Sequence, residues 1–281
     1  MNLVIGVYCG YGPNMINNQR KGGLFFFLHS LRKVNSNCKV IVLCRLSDMF
    51  PELITLCNHM KVEIIPCIPN NYNNIHLFQR NRFTQIHAFL MDKREKGEIY
   101  EKILMSDLAD VIFQEDPFGF EIPCGIYPAA EQNILSDTTN DSSTLNMGWI
   151  QEYSFLGMDP RQFDNKYVIC CGTIIGYYAA ILEYLNYYNY INPLPSTQNS
   201  AQGLKNDQAV MNIFVYHHLP DKIQVQKYTE SKILTLDKIR FEDLDKNEKG
   251  QIVNKNNELY AIIHQIDRCN LPYMMNLAVN G

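Results

Sequence analysis

Short apolar runs alternate with segments of helical period through the first half of this chain, and that alternation limits the fold more than any other feature. Leu3–Val7, Val40–Cys44 and Val62–Ile65 read as strands buried in a parallel sheet. Between them Gly23–Val34 reads as a helix, and Pro51–Met60 as another with proline in its first turn. A longer helix is predicted over Gln79–Lys93, with Phe83, Ile86, His87 and Leu90 on one face, and Lys102–Met105 is the next strand. Units of this kind predict an α/β fold, a mixed and mainly parallel sheet flanked by helices. Ligands of such sheets bind at the carboxyl ends of the strands.

The second half is less regular. Gly125–Ala130 and Val168–Ile175 read as strands, Tyr177–Tyr188 and Asn206–Tyr216 as helices, and Leu259–Ile263 as a late strand. Ile191–Gly203, with two prolines and many polar residues, reads as a loop. With 281 residues, 46% of them hydrophobic, and no evident linker or repeat, the expectation is one domain over 1–281. A net charge of −4 without a basic stripe argues against nucleic-acid binding. Nine scattered cysteines with no Cys-x-x-Cys pair argue against a zinc ribbon, and their odd number favours a reducing compartment. The amino terminus enters a strand directly, and no apolar run reaches the roughly 20 residues of a membrane helix. The expectation is a cytoplasmic protein, or a trimmed one, with no membrane span. The abundant Asn and Ile fit an AT-rich genome, such as that of a large DNA virus, and carry no mechanism.

Chemistry gathers at five places. Asp107 and Asp110 follow the strand Lys102–Met105, three apart, a spacing that lets two carboxylates converge on one hard cation. His264 ends the late strand and could complete a carboxylate–carboxylate–imidazole set. Asp207 and Gln208 sit at a predicted helix start, where they cap the helix and point polar groups outward. Glu131 ends the strand-like Ala129-Ala130-Glu131, and Gly172 lies in the small-residue run Cys170-Cys171-Gly172-Thr173. Gly6, Gly10 and Gly12 suggest a dinucleotide loop, but the third glycine is missing and Pro13 interrupts the helix start.

In their order along the chain these pieces resemble the GT-A glycosyltransferases. The run Ile103-Leu104-Met105-Ser106-Asp107-Leu108-Ala109-Asp110-Val111-Ile112-Phe113 is similar to their metal-site strand. The likeness is greatest to the Asp-x-x-Asp form in the glycosyltransferase domains of the procollagen lysyl hydroxylase and collagen glucosyltransferase family. Ala-Ala-Glu, Gly172–Gly176, Asp207-Gln208 and His264 occur in that family's order, and Asp-Gln-x-x-x-Asn is also similar to glycogenin-like retaining enzymes. Two departures stand out. Leu108 and Ala109 occupy positions where the family often has an aromatic residue to stack on uracil, and Cys170 or Cys171 replaces its usual Asn.

The resemblance implies a GT-A fold and a UDP-sugar-dependent transferase acting with retention on a glycan or protein acceptor. Asp107, Asp110 and His264 would hold Mn²⁺ or Mg²⁺ on the donor diphosphate. Val7 and Tyr8 would meet the nucleoside, and Arg82 the diphosphate. Glu131 and Gly172 would line the donor site, with Asp207 and Gln208 facing the transferred sugar. Two alternatives remain open: a non-catalytic sugar- or protein-binding module on the same fold, and a sugar nucleotidyltransferase. The latter would open with a glycine-rich loop and a basic residue, which Gly10-Tyr11-Gly12-Pro13 matches poorly.

Overall fold

The structure, a computed structural model, describes residues 1–9, 23–67, 81–192, 207–220 and 222–268, the Cys124 side chain excepted. The predicted loop from residue 193 on, the start of the long helix at Gln79 and Arg80, Gly10 and Gly12, and Asn206 all lie outside those residues.

Six strands form the main sheet: β1 (Leu3–Tyr8), β2 (Lys39–Cys44), β3 (Glu63–Pro66), β4 (Lys102–Ser106), β6 (Ile126–Ile134) and β7 (Tyr167–Tyr177), in the order β3-β2-β1-β4-β7-β6. β1, β2, β3 and β4 run parallel; β7 runs against both β4 and β6. A second sheet has the order β5-β9-β8, from β5 (Val111–Phe113), β8 (Ile233–Thr235) and β9 (Ile262–His264). The architecture is therefore α/β with a mixed sheet flanked by helices.

Alternation along the strands explains the layering. Leu3, Ile5 and Ile41 face one side and Val4, Val40 and Val42 the other, and all six are buried. Helices α1 (Leu24–Val34) and α2 (Pro51–His59) cover the valine side through Leu24, Phe27, Leu53 and Cys57. Helices α3 (Arg82–Glu95), α5 (Tyr178–Ile191) and α6 (Asp207–Ile213) cover the other through Phe83, Ile86, Tyr184 and Val210. Phe83 lies edge-on to Tyr184 and Tyr188, with ring centroids 5.5 and 5.3 Å apart, so α3 and α5 lock together through aromatic contacts. A further helix, α4 (Asp141–Gln151), has no counterpart in the sequence reading. No helix among the described residues is long and apolar enough to cross a membrane.

Gly6 has a role other than in a nucleotide loop. A Cβ there would lie 2.6 Å from the Leu108 side chain, so only glycine lets β1 pass this close to the turn after β4. Between β6 and β7 the register shifts at Pro128/Ala129 and again between Ala130 and Ile134. These irregularities fall on the half of the strand that leads to Glu131, near the end of the sheet where β4 gives way to Asp107.

A candidate metal centre at the strand ends

Asp107 follows directly on β4. Its backbone N–H donates to the Gly172 carbonyl on β7 at 2.7 Å, which carries the β4–β7 pairing one residue past the strand. Leu108 and Ala109 are buried in the turn, and the Gly23 N–H donates to the Ala109 carbonyl, so the turn is anchored to the start of α1. Asp110 immediately precedes β5. That short strand pairs antiparallel with β9, setting Val111 opposite His264. The ladder is what brings a late imidazole to a mid-chain carboxylate pair. The Ile266 N–H donates to the Asp110 carbonyl at 3.1 Å and closes the same junction.

The three side chains converge. His264 Nε2 lies 3.5 Å from Asp107 Oδ2 and 3.5 Å from Asp110 Oδ2, and one donor atom from each residue falls within 4.8 Å of the others. Asp107, Asp110 and His264 thus form a group that could hold a metal ion. Donors each about 2.0–2.2 Å from one cation at near-octahedral to tetrahedral angles sit roughly 3–3.6 Å apart, so the spacing suits a shared ion. Gly172 supplies a second observation. A Cβ at that position would fall inside the His264 imidazole and 2.8 Å from Asp107 Oδ2, so the missing side chain makes the cradle. Two hard carboxylates and one borderline imidazole are a donor set of the kind that can hold a metal ion.

The electrostatics agree. Burial disfavours charge on His264, yet Cys170, Asp110 and Asp107 outweigh it and hold its pKa well above the usual imidazole range. Burial likewise opposes ionisation of Asp107, and Arg82 and His264 reverse that, holding the carboxyl below its ordinary value. A cation held there would therefore compete with a proton for the same nitrogen.

Arg82, the first residue of α3, joins this centre to a second carboxylate. Its Nη1 pairs with Asp107 Oδ1. Its Nη2 lies 2.9 Å from Asp207 Oδ2 and 3.2 Å from the Cys171 carbonyl oxygen. The guanidinium expected at the diphosphate is thus bonded to two acidic site residues, and its Nε has no hydrogen-bond partner among the described residues. Asp207 opens α6, as the sequence predicts, and the Arg82 pair brings it to the metal centre.

Glu131 and Gln208 also meet. Gln208 Nε2 donates to Glu131 Oε1 at 3.2 Å and to Asn146 Oδ1, on α4, at 3.0 Å. Burial, reinforced by Asp237, pushes the Glu131 carboxyl up to about 7, against the lowering effects of His264, Arg268 and the Gln208 bond. Behind it Asp237 accepts from Asn133 Nδ2 at 2.6 Å and Arg268 Nη1 at 2.8 Å, and its N–H donates to Gln265 Oε1 at 2.8 Å. Asp237 and Gln265 both have left-handed backbone, with φ of 42° and 65°. This bracing of the residue after His264 leaves no periodicity in the sequence. The capping run Asn140-Asp141-Ser142-Ser143, by contrast, could have revealed α4 and hence Asn146.

The ends of β1 sit differently from the rest. Tyr8 is fully buried with its ring edge-on to Phe50 at 6.2 Å, and Val7 is half-buried against the other face of the sheet. The Tyr8 ring therefore packs in the core, not on an open face.

No family model matches the chain, and no curated protein matches it.

Proposed function

We propose that this chain is a metal-dependent glycosyltransferase of the GT-A type that takes a sugar from a nucleoside diphosphate sugar, UDP-linked, and passes it to a glycan or protein acceptor. The observation that carries the reading is the meeting of Asp107, Asp110 and His264 just past β4, with Arg82 tying Asp107 to Asp207. Such edges are where sheets of this kind bind ligands. A donor set of two carboxylates and one imidazole leaves cation positions open for phosphate oxygens.

Bound Mn²⁺ or Mg²⁺ would supply Lewis-acid stabilisation of the diphosphate leaving group. The chain's own residues do the rest. Arg82 holds Asp107 and Asp207 in a fixed relation and helps hold the Asp107 carboxyl below its ordinary value. Asp207 accepts hydrogen bonds from donor-sugar hydroxyls. Gln208, oriented by Glu131 and Asn146, presents its amide toward the anomeric carbon, and transfer proceeds with retention. Glu131 and Gly172 line the donor pocket, and the chain at Val7 and Tyr8 borders the nucleoside.

A panel of nucleotide sugars incubated with the chain and Mn²⁺ tests this, because such enzymes slowly hydrolyse their donor without an acceptor. The expected result is hydrolysis of one or a few UDP-sugars, abolished by EDTA. Metal binding without turnover of any nucleotide sugar would favour a binding module, and pyrophosphorolysis of the donor would favour a nucleotidyltransferase.

A further inference from the structure

Cys170 and Cys171 are adjacent on β7, and their sulfurs reach different site residues. Cys171 Sγ lies 3.2 Å from Arg82 Nη2. Cys170 Sγ lies 3.4 Å from His264 Nδ1, within the reach of a hydrogen bond to sulfur. The imidazole is 2% exposed and Cys170 equally buried, so water does not compete for that contact. The other ring nitrogen, Nε2, faces the two carboxylates.

A metal-ligating histidine needs a partner on its second nitrogen to fix the ring and choose the tautomer, and that partner is usually a carboxylate, a carbonyl or water. Among the described residues, the Cys170 thiol is the group that fills this place for His264. An Nδ1–H pointing at Sγ leaves the Nε2 lone pair aimed between Asp107 and Asp110. Gly172, two residues along the same strand, leaves the room the ring occupies. One short stretch of β7 thus sets both the position and the orientation of the imidazole.

We propose that Cys170 is a positioning residue of the metal centre, its sulfur accepting a hydrogen bond from His264 Nδ1 so that Nε2 is presented to the cation. This rests on the metal centre of the proposed function, though not on the identity of any sugar.

The test reads metal binding directly. Mn²⁺ affinity is measured by calorimetry for the wild type, Cys170→Ala, Cys170→Ser and Cys57→Ala. Cys57 is a buried thiol of α2 in the same hydrophobic cluster as Cys170, and its variant sets the cost of losing a thiol as such. Cys170→Ala should bind Mn²⁺ about 10- to 100-fold more weakly, the range seen when an outer partner of a metal ligand is removed. Cys170→Ser, which keeps an acceptor, should recover most of the affinity, and Cys57→Ala should bind as the wild type does. Nitrogen-15 spectra of the Mg²⁺-loaded wild type should show His264 protonated at Nδ1, a reading that stands even if Cys170→Ala does not fold. Wild-type affinity in Cys170→Ala, equal losses in the Ala and Ser variants, or a ring protonated at Nε2 would overturn the proposal while leaving the metal centre intact. A wild type that binds no Mn²⁺ would overturn both.

Discussion

At position 172 the side chain has to be a hydrogen. The β4–β7 pairing puts the Gly172 backbone against Asp107, and β9 brings the His264 ring into the space where a Cβ would stand. Gly172→Ala should therefore displace the imidazole and weaken Mn²⁺ binding by about tenfold or more, comparable with losing an outer-shell partner. Calorimetry checks it, and unchanged affinity would mean the ring can move aside without cost. Glu131 gives a pH-dependent counterpart. Its carboxyl rises from 4.5 to about 7, so between those values the folded chain binds a proton that the unfolded chain has released. Stability is then fullest below 4.5 and falls as pH rises through 7. Glu131→Gln stays neutral throughout and should gain on the wild type over that window by at most ~3 kcal/mol. Urea titrations in EDTA at pH 4.5 and 7.5 measure the difference, and a constant gap would show that Glu131 titrates normally. The groups bearing on it are Asp237, His264, Arg268 and Gln208. Of these, His264 and Gln208 stood out in the sequence by motif order. Asp237 and Arg268 did not, because they meet only through loop geometry.

The elements legible in the sequence were those buried by period. β1, β2 and β4 were marked by apolar runs, and α1, α2 and α5 by helical spacing; the observed ends differ by a few residues. What escaped depends on pairing or on polar contacts. β8 has only three residues and exists because β9 runs beside it. The helix expected over Asn206–Tyr216 is α-helical over Asp207–Ile213 and continues with the wider π pattern over Phe214–His218. α4 was missed because only Ser143, Asn146 and Ile150 of its residues are buried, too thin an apolar stripe to register as a period. Its start is fixed by Asn140, whose side-chain oxygen accepts from the Ser142 and Ser143 N–H groups at 2.9 and 3.3 Å. The Asn140 amide also donates to Asn133 Oδ1 at 2.8 Å. Asn140→Ala should cost about 1–2 kcal/mol, the upper part of the range for lost caps, because two roles go together. Chemical denaturation measures it. A change under about 0.5 kcal/mol would show that α4 does not depend on its cap.

On the scale of the whole molecule, the candidate centre is where the two sheets are fastened. Asp107 follows the carboxyl end of β4 in the six-stranded sheet, while Asp110 immediately precedes β5 and His264 ends β9, the paired strands of the smaller one. A cation held by all three would tie β8, β9 and the residues between them to the main sheet. A ligand that binds only the folded chain stabilises it by mass action, about 2.7 kcal/mol when its free concentration is a hundred times Kd. For a chain of this length that corresponds to a rise in Tm of roughly 5 °C. The choice of variant decides what the experiment means. Asp107→Ala would remove a metal ligand and also one of two carboxylates paired with Arg82, so lost binding would be mixed with an underpaired buried charge. Asp110 has His264 as its ion-pair partner, whereas the ion pairs of Arg82 are with Asp107 and Asp207. Asp110→Asn leaves the Arg82 pairs intact but removes one of the carboxylates facing the buried His264 imidazole, so its Tm in EDTA should lie below the wild type's, and the Mn²⁺ shift is read against that baseline. In Mn²⁺ it should show no rise. Asp207→Asn, which keeps a polar partner for Arg82 and supplies no ligand to the cation, should retain the full Mn²⁺ shift and bind UDP as the wild type does, yet transfer sugar poorly. An equal Mn²⁺ shift in wild type and Asp110→Asn would move the metal away from this junction. Loss of the shift in Asp207→Asn would make that residue a prop of the centre, not a group that faces the sugar.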